Sequence, residues 1–341
     1  MLPSRITNPD ADQLPSIAQR LAGGESLVVQ FDGPGHTPPF LRELDGLCAR
    51  FGERLEMRFY GQLSSAFDCR VLENLPSVAN LSVDCLQRAE HTEVLGQLGA
   101  LKQLSLGIFE LEDDDVLRFP SLRSVRHLSV GDTKSKAVNL SHLAAFSSLE
   151  HLRIAGQTRG LAALQELPSL ESLALAQIGK QTSLAFTSRI AGLRSLSLLL
   201  GGRASIAEIA ASQLRELEVC RVKGLTELGD LSRFGELTSL FVEDQARVTG
   251  LSFSGAASRL EYVRIFNCKS LREISGLESL PRLKHLRIGE TGMDAEALLA
   301  LRFPPSLEIC ALYTGREREN KKLRAALDSR GYVESSRPLA G

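Results

Sequence analysis

His127, His151 and Arg153 are the first residues whose types could do chemistry together: two imidazoles one repeat length apart, and a guanidinium two positions further on. Two imidazoles side by side are half of a tetrahedral zinc set. No carboxylate or thiol at the adjacent outward positions completes a third ligand, and Asp132 falls at the turn end of its segment. No metal is therefore expected; solvated or partner-contacting histidines are. The run Glu110-Leu111-Glu112-Asp113-Asp114-Asp115 is dense in carboxylates but lacks the spaced Asp/Gly pattern of a calcium loop. With Val116 and Leu117 next, it reads as the acidic start of a helix. Gly33-Pro34-Gly35-His36-Thr37 lacks the Gly-Lys-Ser/Thr ending of a phosphate loop and reads as a turn. The serines include no Gly-x-Ser-x-Gly elbow. Cys48, Cys69, Cys85, Cys220, Cys268 and Cys310 are scattered, which argues against a disulfide framework or a zinc ribbon. The expectation is a chain that is no enzyme and carries no cofactor.

Placing these residues requires the elements beneath them. Between Leu260 and Ile288, Leu260, Val263 and Ile265 follow an L-x-x-L-x-L spacing. Leu271, Ile274, Leu277 and Leu280 then recur at every third residue, and Leu283, Leu286 and Ile288 begin the spacing again. Alternation suits a short strand with one buried face; a period of three suits a 3₁₀-like return segment. The lap starts are Val78, Leu101, Val125, Leu149, Leu170, Leu193, Leu214, Leu237, Leu260, Leu283 and Leu307, with successive gaps of 21 to 24 residues. One lap cannot bury its own apolar side, but stacked laps can.

The motifs LKQLSL (101–106), LEHLRI (149–154), LESLAL (170–175) and LKHLRI (283–288) resemble the leucine-rich repeat family, in its bacterial-type short form of about 23 residues per lap. The resemblance implies an α/β leucine-rich repeat solenoid, a horseshoe with a parallel concave β-sheet and short 3₁₀, irregular or helical convex segments. Residues 77–315 are expected to hold the repeats. Residues 1–76 read as irregular strand–helix capping laps, with helices near Leu14–Leu21 and Phe40–Phe51 and strands at Leu27–Phe31 and Leu55–Phe59. Residues 316–341 read as a helical cap and tail, Leu323 and Leu327 facing inward and Gly331 stopping the helix. The family often carries Asn at the ninth motif position to satisfy turn backbone. Here that position holds Phe109, Thr133, Gln157, Ile178, Gly201, Val222, Gln245, Cys268, Thr291 and Gly315, so other groups must do that work.

In such a stack the third, fifth and seventh motif positions form three outward columns, neighbouring strands lying about 4.8 Å apart. From the lap at Leu101 to that at Leu193 the columns are mostly Ser, Ala and Gly, with His127, His151 and Arg153 as exceptions. From Leu214 onward they hold Glu216, Glu218, Phe241, Glu243, Tyr262, Arg264, Phe266, His285, Arg287 and Tyr313. Outward aromatics beside Arg are what a protein contact surface uses. These ten residues are the primary partner-binding candidates, and His127, His151 and Arg153 the secondary ones.

A formal net charge of −1 gives no global attraction for nucleic acid or anionic membrane. No basic n-region leads into a continuous apolar run, and no stretch is apolar enough to span a bilayer. The expectation is a cytoplasmic protein, monomeric when free, that recognises another protein by its concave face. The resemblance further implies an inhibitor or immunity-type protein masking a toxin or enzyme. A translocated effector binding a host protein, and a metal-dependent module using His127 and His151, are the alternatives.

Overall fold

The lap starts mark the strands of a parallel sheet in the computed structural model, which describes residues 3–61, 65–134, 137–253 and 258–333. The tail holding Ser335, Ser336 and Pro338, expected to fray, lies outside the described residues. The chain divides into two compact units, Met1–Leu170 and Glu171–Gly341.

In the first unit, strands Ser4–Thr7, Leu27–Phe31, Leu55–Phe59, Asn80–Leu86, Gln103–Ile108, His127–Val130 and His151–Ala155 pair side by side, all parallel, in chain order. The strand Ser4–Thr7 was not expected, since SRIT has one apolar residue and is largely exposed. It is stabilised as an edge by ladder bonds to Leu27–Gln30 rather than by burial. Helix Leu14–Ala22 buries Ile17 and Leu21, and helix Pro38–Phe51 buries Leu41, Leu44 and Cys48 beneath a Thr37 cap. The return segments Cys69–Asn74, Thr92–Gln97, Leu140–Ala145 and Leu161–Glu166 are 3₁₀ turns, the geometry in which every third residue faces the core.

The second unit repeats the scheme with strands Ser172–Ala176, Ser195–Leu199, Glu216–Cys220, Ser239–Glu243, Tyr262–Phe266, His285–Gly289 and Ile309–Tyr313. Its alternate residues, such as Val263, Ile265, Leu286 and Ile288, are fully buried, each contributing about 1.5–3 kcal/mol by leaving water. Helix Glu317–Ser329 lays Leu323 and Leu327 inward, and Val333 bridges to Ile309 on the last strand. A short parallel pair, Gly250–Ser252 with Glu273–Ser275, ties two return segments together.

The turns at the strand ends explain how the ladder closes without Asn at the ninth motif position. In the second unit Gln177, Leu200, Arg221, Asp244, Asn267 and Glu290, all at the eighth motif position, are left-handed with φ between 51° and 57°. The conformation costs an L-residue about 1–2 kcal/mol. It lets each N–H reach the seventh-position carbonyl of the following lap, from Gln177 to Leu199 (2.8 Å) through Glu290 to Tyr313 (3.0 Å). At the ninth position, buried Gln245 donates from Nε2 to the carbonyls of Glu243 (2.7 Å) and Val219 (3.1 Å). In the first unit Gln157 accepts from the Val138 N–H (2.7 Å) and donates to the Gly131 carbonyl (2.8 Å). Glutamine and backbone thus serve where the family often uses asparagine.

Candidate functional site

The strand registers assemble the three outward columns residue by residue. In the second unit the third-position column runs Ser172, Ser195, Glu216, Ser239, Tyr262, His285, Ile309, each opposite the next. The fifth runs through Glu218, Phe241, Arg264 and Arg287, and the seventh through Glu243, Phe266, Gly289 and Tyr313. All ten primary candidates stand on this face. Nine are half-buried and Glu216 is exposed, while the residues between them are core.

Their contacts divide the face by charge and shape. Glu218 accepts from the Ser197 hydroxyl at 2.7 Å rather than reaching toward Arg264. Arg264 instead pairs with Glu243 at 3.2 Å, and its guanidinium lies 5.7 Å from the Phe266 ring centroid. Both ionic partners are more than a third exposed, so the pair orients the arginine more than it stabilises the fold. The Tyr262 and His285 rings meet at 4.6 Å between centroids, tilted by 37°. Burial, then Arg287 and Lys284, holds the His285 imidazole below its ordinary value, against a raising influence from Glu308.

Gly289, on the seventh-position column, shapes this face in a way that leucine spacing did not reveal. A Cβ there would lie 2.7 Å from the Phe266 ring. The missing side chain is the seat on which that aromatic lies, with Tyr313 on the next strand. A glycine on an outward column, between two aromatics of the same column, is the signal that could have found it.

In the first unit the outward third-position column carries His127 and His151, directly opposed in register, with ring centroids 4.4 Å apart at 77°. Arg153 stands exposed on the fifth position, opposite Ser129. The expectation that no third ligand accompanies the histidines needs correction. The ligand atoms of His127, His151 and Glu150 all lie within 4.8 Å of one another. Glu150 precedes His151, a second motif position that strict alternation does not assign to the outward columns. Nearby, Glu53 accepts from Gln103 at 3.0 Å and pairs with Arg126. Burial, then the charge of His151, pulls the His127 imidazole below its ordinary value.

The other sequence candidates resolve structurally. Asp113 pairs with Arg118 (2.7 Å), Asp114 with Arg159 (2.5 Å) and Asp115 meets His142 (2.9 Å), and the run leads into a single 3₁₀ turn, Val116–Arg118, rather than the expected helix. His36 packs edge-on against Phe31 and Phe59, and Thr37 caps the helix that already begins at Pro38, so the connection is 33–37 and not the 33–39 that the sequence suggested. The six cysteines are free thiols, with burial pushing Cys48, Cys69 and Cys310 up to about 12. A cleft of about 550 Å³ lined by Glu227, Asp230 and Glu273 lies among return segments and includes none of the outward columns. Among the described residues no helix is long and apolar enough to cross a membrane.

Lap length, parallel register and 3₁₀ returns together define a leucine-rich repeat solenoid with one polar sheet face. No family model and no curated protein matches the sequence. Among solved structures the chain is similar to the TLR13–ssRNA13 complex (15% identity, TM-score 0.48, covering 88% of this chain and 52% of that one). It is also similar to the Toll–Spatzle complex of Drosophila (13%, 0.48, 84% and 47%). A third is internalin C2 from Listeria monocytogenes (19%, 0.34, 70% and 83%). The chain spans about half the length of the first two.

Proposed function

We propose that this protein recognises another protein, without catalysis, through the outward sheet face of its second unit. The observation that carries this reading is the set of half-buried aromatics Phe241, Tyr262 and Phe266 interleaved with Arg264, Arg287 and His285 on one continuous register. Core packing asks for none of these side chains, because the apolar residues beneath them already fill the interior. Aromatic and arginine side chains are the ones that dominate protein contacts when a partner excludes water. Glu216, Glu218 and Glu243 on the same face would repel a phosphate backbone, which favours a protein of mixed charge over nucleic acid.

Within this reading the chain is a cytoplasmic, monomeric inhibitor of immunity type. A face several strands wide offers the roughly 800 Å² per partner that a stable masking contact needs. Residues 1–76 and 316–341 act as caps on the repeats of 77–315. Immobilised wild-type chain, compared with the Phe241→Ala/Arg264→Ala/Arg287→Ala variant of unchanged circular dichroism, should capture from native cell lysate a protein that the variant does not. Identical captures by the two baits would move the site elsewhere.

A further inference from the structure

We propose that His127, His151 and Glu150 form a binding site for one divalent transition-metal ion of the zinc type. Their three ligand atoms converge within 4.8 Å. Among the described residues none of the three side chains is committed to a hydrogen bond or an ion pair, whereas the acidic run and the Arg264–Glu243 pair are already engaged. The register pins the histidines opposite each other, so their separation is set by the ladder and not by a mobile loop.

Two imidazole nitrogens and one carboxylate oxygen are a borderline-soft set that suits Zn²⁺ and its neighbours. Ca²⁺ and Mg²⁺ prefer oxygen throughout. Binding draws the ligand atoms to about 3.3 Å from one another, as bonds near 2.0–2.1 Å in tetrahedral geometry require. His151 is exposed and His127 and Glu150 half-buried, leaving side-chain torsions free to make that contraction. Glu53 lies beside His127 but is held by Gln103 and paired with Arg126, so it is not counted among the ligands. Arg153, on the same strand as His151, stands on the next outward column and is not part of the site. Three protein ligands leave a fourth position for water.

The test is Zn²⁺ uptake by the chelator-stripped full chain in competition with a chromophoric chelator. One equivalent is expected. His127→Ala/His151→Ala should weaken uptake by at least about 100-fold, Glu150→Gln by about tenfold, and Arg153→Ala not at all. In NMR, Zn²⁺ should move the imidazole signals of His127 and His151 and leave His285 unmoved. No uptake by the wild type, or uptake unchanged in the double variant and so owed to thiols such as Cys85 or Cys220, would overturn the site.

Discussion

Two pairs of rings occupy the same column position in the two units: His127 against His151 at 4.4 Å, and Tyr262 against His285 at 4.6 Å. Both pairs begin their strands, both are matched in register, and both sit above buried leucine or valine. The backbone is the same, and the chemistry is not. In the first unit the Glu150 carboxylate comes within 4.8 Å of the histidine nitrogens, while Ser105, Ser129 and Arg153 stand on the neighbouring column. In the second, the columns beside Tyr262 and His285 hold Arg264, Arg287 and Phe266, and Gly289 seats the aromatic. A repeat ladder fixes spacing to within a fraction of a side chain. Function on it is decided by what stands at three outward positions per lap.

If the scaffold is shared, equal damage beneath each face should cost the same. Leu152→Ala and Leu286→Ala remove buried side chains on equivalent strands and should each destabilise by about 2–5 kcal/mol in chemical denaturation. A loss confined to one of them would mean that the two cores are not equivalent. Gly289→Ala then separates face from scaffold. Its Cβ must displace the Phe266 ring, costing about 1 kcal/mol of stability while weakening partner binding more than it lowers the melting temperature. The smallest effect is electrostatic. The folded-state value of His285 lies below the ordinary one, chiefly through burial. The unfolded chain therefore takes up this proton first as pH falls. The contribution of His285 is full above about pH 6.5 and is lost as pH drops toward its folded value. NMR titration should place its midpoint below 6.5, Arg287→Ala should move it upward, and His285→Asn should reduce the acid-side slope of stability.

The strand starts were legible because leucine, valine and isoleucine alternate there and nothing else competes. Asn80, Gln103, His127, His151, Ser172, Ser195, Glu216, Ser239, Tyr262, His285 and Ile309 each open a strand as the spacing requires. What escaped was decided by tertiary structure. Leu200, Arg221 and Glu290 carry no turn preference, yet the ladder holds them left-handed. Glu150 lies at a position that alternation leaves off the outward columns, yet its carboxylate comes within reach of the histidines. Gln157 and Gln245 were visible at the ninth position, but only burial shows that they bond the turn backbone.

The central claim is that the Tyr262–Arg287 face, and not the His127–His151 face, binds the partner. It is tested most directly by measuring the dissociation constant of the captured protein against two variants of unchanged fold. Phe241→Ala/Arg264→Ala/Arg287→Ala should weaken binding by at least about 30-fold, the size of a single hot spot of about 2 kcal/mol. His127→Ala/His151→Ala should leave it within about twofold under metal-free conditions. The reverse order of effects would contradict the account.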